Sequence, residues 1–131
     1  MIVLDTSALI AILTDEPERR AFNEAIERAA TRMMSAATLL ETKIVLFARH
    51  GGAGVNALDA FLLRGDIQVA PVTAAQAELA FEAFRRFGRG TGHAAHLNYG
   101  DCFSYALARE NDAPLLFKGG DFRHTDVEPA I

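Results

Sequence analysis

The chain has 131 residues, of which 50% are hydrophobic and 23% charged, so we expect one domain with a sizeable core rather than a disordered chain. The 13 Lys and Arg against 17 Asp and Glu leave a formal net charge of −4, which argues against a generic basic clamp around a nucleic-acid backbone. A single cysteine excludes an internal disulfide framework and a four-cysteine zinc site.

The cellular compartment is also an expectation from composition. No stretch approaches the roughly 20 apolar residues that cross a membrane. The first residues lack the basic lead and the long apolar run of a signal peptide. We therefore expect a soluble protein of a reducing cytoplasm.

The first half of the chain alternates short apolar runs with helix-like segments. After the first apolar run, the hydroxyls of Thr6 and Ser7 can cap a helix, because they accept bonds from free backbone N–H groups. In chain order, we predict a strand over residues 2–4, helices over 8–13 and 18–30, a strand over 32–35, and helices over 36–49 and 55–63 on either side of Gly51 and Gly52.

The second half continues the alternation. In chain order, we predict a strand over residues 67–72, a helix from a Thr73 cap to residue 87, a glycine- and histidine-containing loop over 88–96, a helix over 100–110, a strand over 114–117, a turn at Gly119 and Gly120, and a short edge strand over 126–128. This pattern predicts a three-layer α/β/α fold with a parallel sheet of four to five strands. Ligands of such folds bind at the carboxyl edge of the sheet.

Glu41 is the most informative acidic residue. It falls on the apolar face of the helix predicted over residues 36–49, where a charge is costly unless it is paired or coordinates a metal ion. Two plainer explanations are open: that end of the helix is exposed, or Lys43 or an arginine neutralises the carboxylate. The apolar residues on the same face are Ala37, Ile44, Val45 and Ala48.

Three further acids are predicted at the ligand-binding edge. Asp5 follows the first strand, Asp101 lies in the first turn of a helix, and Asp121 follows the last long strand. Each has a plain alternative: Asp5 as a helix N-cap, Asp101 as a capping partner of Asn98, and Asp121 as a turn residue.

The four acids together indicate more than each does alone. Carboxylates about 5 Å apart repel by roughly 3 kcal/mol per pair at an effective dielectric near 20, so such a cluster attracts cations. Hard oxygen ligands suit Mg²⁺ or Mn²⁺ rather than zinc. Two such ions can activate a water and stabilise the leaving oxygen of a phosphodiester.

Several segments resemble the PIN domain, and more closely the VapC toxins of bacterial type II toxin–antitoxin pairs. The resemblance covers essentially the whole chain and is carried by Asp5-Thr6-Ser7 after the first strand, Glu41 in its helix, the block Gly100-Asp101-Cys102-Phe103, and the run from Leu115 to Phe122. It implies a single PIN domain over residues 1–131. One departure is Gly120, because many relatives have Asn before the final Asp.

The resemblance implies a metal-dependent endoribonuclease that cuts structured RNA such as tRNA. It also implies a homodimer and a cognate VapB-like antitoxin. By the same resemblance Thr6 or Ser7 holds a ligand, water or phosphate through its hydroxyl, and an antitoxin arginine is expected to enter the acidic pocket. The residues that would ligate Mg²⁺ or Mn²⁺ are Asp5, Glu41, Asp101 and Asp121.

Other polar and aromatic residues have weaker functional interpretations. His93 and His96 lack a third ligand for zinc, and Cys102 is expected to be a small buried residue. The basic residues that either contact phosphates or lie solvated on the surface are Arg85, Arg86, Arg89, Lys118 and Arg123. The phenylalanines expected in the core or at a dimer surface are Phe81, Phe84 and Phe87.

Three alternatives to a nuclease are open from the sequence. A phospho-receiver module needs an acceptor aspartate at the end of a central strand, and the middle of the chain has none. A phosphatase with Asp5 as nucleophile usually has a second acid two residues on, where this chain has Ser7. The third alternative is a PIN-like domain that binds a partner without catalysis.

Overall fold

The computed structural model describes all 131 residues and centres on a four-stranded parallel sheet. In the order of the sheet, the strands are β3 (Ile67–Ala70), β2 (Arg32–Ser35), β1 (Ile2–Leu4) and β4 (Leu115–Leu116). Because every neighbouring pair is parallel, each connection crosses over through helix and covers a face of the sheet. The predicted parallel α/β sheet is confirmed.

Five helices cover the sheet. The helices are α1 (Thr6–Leu13), α2 (Arg19–Arg28), α3 (Ala36–Arg64), α4 (Ala74–Phe87) and α5 (Tyr99–Glu110), followed by a 3₁₀ turn at Asp121–His124. Each predicted helix is present. The helices predicted over residues 36–49 and 55–63 are joined in α3 around Gly51, and the ends of the other helices move by at most two residues. None of the helices combines the length and apolar character needed to cross a membrane.

The break predicted at Gly51 lies inside α3. Gly51 has φ 63° and ψ −153°, a conformation that residues with a side chain rarely adopt. The second half of α3 then turns back on the first, since Lys43 Nζ lies 3.7 Å from Asp59 Oδ1. The two halves pack closely at Gly54, where a Cβ atom would lie 2.9 Å from the Leu46 carbonyl oxygen.

Two apolar cores occupy the two faces of the sheet. Adjacent strand residues alternate between them: Val3 and Leu115 face the core beneath α4 and α5, whereas Leu4 and Leu116 face the core beneath α1, α2 and the end of α3. This alternation produces the three layers predicted from the sequence.

The strands predicted over residues 67–72 and 114–117 are shorter in the structure, and a third predicted strand is absent. β3 ends at Ala70 because Pro71 has no N–H to donate to the sheet. The edge strand predicted over residues 126–128 does not form, and a single parallel bridge joins Leu115 to Pro129 instead. The Leu115 N–H donates to Glu128 O (2.8 Å) and the Ala130 N–H donates to Leu115 O (2.9 Å), so the C-terminal segment covers the outer edge of β4.

Candidate functional site

Asp5 lies at the carboxyl edge of the sheet, directly after β1, and is 3% exposed. It caps α1 through Oδ2, which accepts from the Ser7 N–H (3.0 Å) and the Ser7 hydroxyl (2.7 Å). Its Oδ1 atom accepts from the Ser104 hydroxyl at 2.6 Å. The capping explanation is therefore correct, but it occupies only one carboxylate oxygen and does not account for the burial of the charge.

Glu41 lies on α3 and points toward the first turn of α5. Its Oε1 atom accepts from the Thr6 hydroxyl at 2.5 Å. Its Oε2 atom lies against the backbone of Gly100, so that a Cβ on that glycine would be 2.0 Å away. Lys43 does not neutralise it, because the Lys43 ammonium is paired with Asp59. Glu41 thus lies beside the residue that precedes Asp101.

Asp101 forms a capping box with Asn98 at the start of α5. The Asp101 N–H donates to Asn98 Oδ1 and the Asn98 N–H donates to Asp101 Oδ2, both at 2.9 Å. Burial, and after it the negative charges of Asp5, Glu41 and Asp121, raise the pKa of Asp101 to about 7 against the lowering effect of the Asn98 N–H. The other three acids therefore lie close enough to Asp101 for their charges to act on it.

Asp121 is the exposed member of the set and begins the 3₁₀ turn after β4. The preceding Gly120 has φ −97° and ψ −14°, a conformation open to any residue. A Cβ there would meet nothing within 4 Å, so the missing asparagine amide leaves open space beside Asp121.

The four predicted site residues come from four separate segments and meet at one edge of the sheet. Their donors are all carboxylate oxygens, the ligands that Mg²⁺ and Mn²⁺ prefer. No group of three or more His, Cys, Asp or Glu side chains is yet arranged to hold a metal ion. The donor chemistry therefore fits a hard divalent cation, while the ligand geometry is not preformed.

Sequence reasoning missed the buried hydroxyl groups behind these acids. Thr38 and Thr42 lie on the inner face of α3 and Ser104 lies on α5, all at most 1% exposed. The available signal was their position among apolar residues, because a polar group buried there must find a hydrogen-bond partner. Their partners are the site carboxylates and the hydroxyls that contact them.

Three of the basic residues suggested for phosphate contacts are engaged elsewhere. Arg85 pairs with Glu82, and Arg86 lies 3.3 Å from an Asp126 carboxylate oxygen. Lys118 Nζ pairs with two acids of the α1–α2 connection, Glu16 (3.0 Å) and Glu18 (3.3 Å). Arg89 and Arg123 are exposed, and Arg123 also donates to the Ile131 carbonyl oxygen (3.4 Å) and lies over the Phe117 ring.

His93 and Cys102 make structural contacts. His93 accepts from the Ala95 N–H through Nδ1 (3.1 Å) and packs edge-on against Phe87, which is buried. Cys102 is buried, as predicted, and burial raises its pKa to about 11.

An apolar surface lies next to the acidic edge. A groove of about 550 Å³ runs between α4 and α5 with Phe81 and Phe84 on one side and Tyr99 and Phe103 on the other. Phe81 is 63% exposed and Tyr99 79% exposed, which is unusual for aromatic side chains that lie this close together.

Comparison with known proteins identifies the family. The PIN domain family matches residues 2–128. A ribonuclease VapC of Mycolicibacterium smegmatis is 52% identical over 125 residues, which cover 95% of this chain and 96% of that protein. The chain belongs to the VapC family of PIN-domain proteins. The resemblance noted in the sequence is thereby confirmed, and the phospho-receiver and aspartate-phosphatase alternatives lose their support.

Two solved structures share the fold. One is Mycobacterium tuberculosis VapC20, described as a sarcin–ricin loop cleaving toxin. The match covers 97% of this VapC-family chain and 96% of the VapC20 chain, with a TM-score of 0.78 and 23% sequence identity. The other is VapBC2 from Rickettsia felis, bound to a DNA fragment from its promoter. That match covers 98% of this chain and 96% of the other chain, with a TM-score of 0.71 and 17% sequence identity. Both confirm the three-layer PIN fold.

Proposed function

We propose that this VapC-family chain is an endoribonuclease toxin that hydrolyses RNA phosphodiester bonds with Mg²⁺ or Mn²⁺. The metal ligands are Asp5, Glu41, Asp101 and Asp121. The observation that carries the proposal is the convergence of four carboxylates with no basic side chain paired to any of them, since the charges of Asp5, Glu41 and Asp121 all act on Asp101. The ribonuclease name of the 52% identical relative supports the same conclusion.

The chain's own residues suit this chemistry. A divalent ion bound there supplies an activated water and charge stabilisation for the leaving oxygen. Three of the carboxylates are held by hydrogen-bond donors, with Asp5 held by Ser7 and Ser104, Glu41 by Thr6, and Asp101 by Asn98. Each of them keeps lone pairs free for a ligand bond. Asp121 is exposed and can rotate to complete the set.

We propose a structured RNA such as tRNA as the substrate. We also propose that the protein acts in the cytoplasm. The description of VapC20 as a toxin that cleaves the sarcin–ricin loop supports a folded RNA as the substrate class. With a net charge of −4, the chain binds RNA through the metal site and local contacts rather than through a broad basic surface. Arg89 is exposed and available for such contacts.

The protein acts as a homodimer and is inhibited by a VapB-like antitoxin. The exposed apolar side chains of α3, α4 and α5 supply a surface for the second copy, and include Leu40, Ile44, Phe47, Phe81, Phe84 and Tyr99. Replacing Phe81 with Asp should give a monomer by light scattering, and an unchanged dimer would place the interface elsewhere.

An antitoxin arginine enters among the four acids and neutralises them. The complex of VapBC2 supports an antitoxin partner for a chain with this fold. A structure of the toxin–antitoxin complex in which no basic side chain of the antitoxin reaches Asp5, Glu41, Asp101 or Asp121 would contradict this mode of inhibition.

The proposed activity is tested by incubating purified protein with total cellular RNA in Mg²⁺, Mn²⁺ or EDTA. An Asp101→Asn variant is compared with Asp112→Asn, a control in the turn after α5 where a left-handed backbone suits Asn equally well. We expect discrete fragments from the wild-type chain and the control, and none with EDTA or Asp101→Asn. No cleavage by folded, antitoxin-free protein would favour the partner-binding alternative.

A further inference from the structure

A buried chain of hydroxyl groups connects α3 and α5 to Asp5. The Oγ1 atom of Thr38 lies 3.1 Å from the Oγ atom of Ser104, which in turn lies 2.6 Å from Asp5 Oδ1. Thr38 comes from α3 and Ser104 from α5, so the two helices that carry Glu41 and Asp101 are joined directly behind the site.

The direction of these hydrogen bonds follows from the number of protons. Each hydroxyl has one hydrogen, and an ionised carboxylate only accepts. Ser104 therefore donates its hydrogen to Asp5, and the hydrogen between the two hydroxyls must come from Thr38. The chain runs in one direction, from Thr38 to Ser104 to Asp5.

Local helix geometry does not explain the bond made by Thr38. A buried threonine in a helix commonly donates to the carbonyl four residues earlier, as Thr42 does to Thr38 O at 2.8 Å. Thr38 instead donates across to the neighbouring helix, 66 residues away in the sequence. Thr38 and Ser104 are 1% and 0% exposed, so water cannot replace either hydroxyl without a change in packing.

We propose that Ser104 and Thr38 are positioning residues of the acidic site, which orient the Asp5 carboxylate for a divalent cation. Ser104 holds Oδ1 on one side while Ser7 holds Oδ2, so the carboxylate plane is set before a cation arrives. Thr38 orients Ser104 by leaving it only one acceptor for its hydrogen. This inference rests on the proposed metal-dependent function, because it assigns the residues through their effect on a metal ligand.

The test uses the full chain and Mn²⁺ as the probe. The variants are Ser104→Ala, Thr38→Val, Thr38→Ser and the double variant Ser104→Ala with Thr38→Val. Valine keeps the shape of threonine without its hydroxyl, whereas serine keeps the hydroxyl and loses a methyl group. Mn²⁺ affinity is measured by titration calorimetry, stability by urea unfolding in EDTA, and kcat and KM with a cleaved RNA.

We expect Ser104→Ala to weaken Mn²⁺ binding by about tenfold, the effect typical of residues that orient a metal ligand. Thr38→Val should weaken it less, and Thr38→Ser should restore it to within about twofold of the wild-type chain. The double variant should bind no more weakly than Ser104→Ala alone, because the two residues act in series. At saturating Mn²⁺, we expect Ser104→Ala to lower kcat for RNA cleavage and to leave KM for RNA unchanged.

Three results would overturn the proposal: wild-type Mn²⁺ affinity in Ser104→Ala, equal losses in Thr38→Ser and Thr38→Val, or additive losses in the double variant. The second would assign Thr38 to packing alone, and unfolding in EDTA would then show the same order of loss. A wild-type chain that binds Mn²⁺ but cleaves no RNA would contradict the proposed function while the affinity comparison still decides the role of Ser104 and Thr38.

Discussion

Replacing Asp101 with Asn should stabilise the metal-free protein at alkaline pH. The pKa of the Asp101 carboxyl rises from 3.8 to about 7 in the fold, first because of burial and then because of the three neighbouring acids. The folded chain therefore binds the Asp101 proton more tightly than the unfolded chain does. The contribution of this group to stability decreases as the pH rises from about 4 to about 7 and stays low above that range.

The magnitude follows from the pKa change. A pKa raised from 3.8 to about 7 corresponds to about 4 kcal/mol of free energy of unfolding lost when the carboxylate is ionised. Because Asp101 is only partly buried, we expect solvent screening to reduce the effect to about 2 kcal/mol. Asn keeps an oxygen that can accept from the Asn98 N–H, so the capping box survives while the charge is removed.

The assay is urea unfolding in EDTA at about pH 5 and about pH 8. We expect Asp101→Asn to exceed the wild-type chain by about 2 kcal/mol at the higher pH and by less than half of that at the lower pH, where most of the Asp101 carboxyl is still protonated in the folded chain. The Asp112→Asn control should show no such difference between the two pH values. Equal or lower stability of Asp101→Asn at pH 8, or the same gain at both pH values, would refute this account of the site.

Three further variants test the geometry around the site and the core. Gly100→Ala should weaken Mn²⁺ binding by about tenfold, because its Cβ would displace the Glu41 carboxylate; unchanged affinity would contradict the close approach. Arg32→Met should lower the free energy of unfolding measured in urea by about 2 kcal/mol, because the Arg32 guanidinium donates to three backbone carbonyls, two of them at 2.7 Å. An unchanged free energy of unfolding would show that water satisfies these carbonyls in the variant. Leu58→Ala should lower it by about 3 kcal/mol, since Leu58 is fully buried, and a loss below about 1 kcal/mol would contradict that packing.

The elements of the fold could be predicted because their signals are local. Thr73 accepts from the Gln76 N–H as a helix N-cap, and Gly51 breaks α3 at the predicted position. The errors are also confined to short segments: Pro71 ends β3 early, and the strand predicted over residues 126–128 is replaced by a single bridge between Pro129 and Leu115. The order of the strands could not be read, because it depends on which distant segments pair.

The sequence by itself determined the family, the alternation of strands and helices, and the placement of three of the four acids at the carboxyl edge, since each follows from residue types at short spacings. Only the tertiary structure decided how those acids are held. The bonds from Ser104 to Asp5 and from Thr6 to Glu41 join residues 99 and 35 positions apart. Whether these hydrogen bonds form depends on the distance between packed helices to within a fraction of an ångström. Both the strength of a hydrogen bond and the cost of burying a charge depend on that distance.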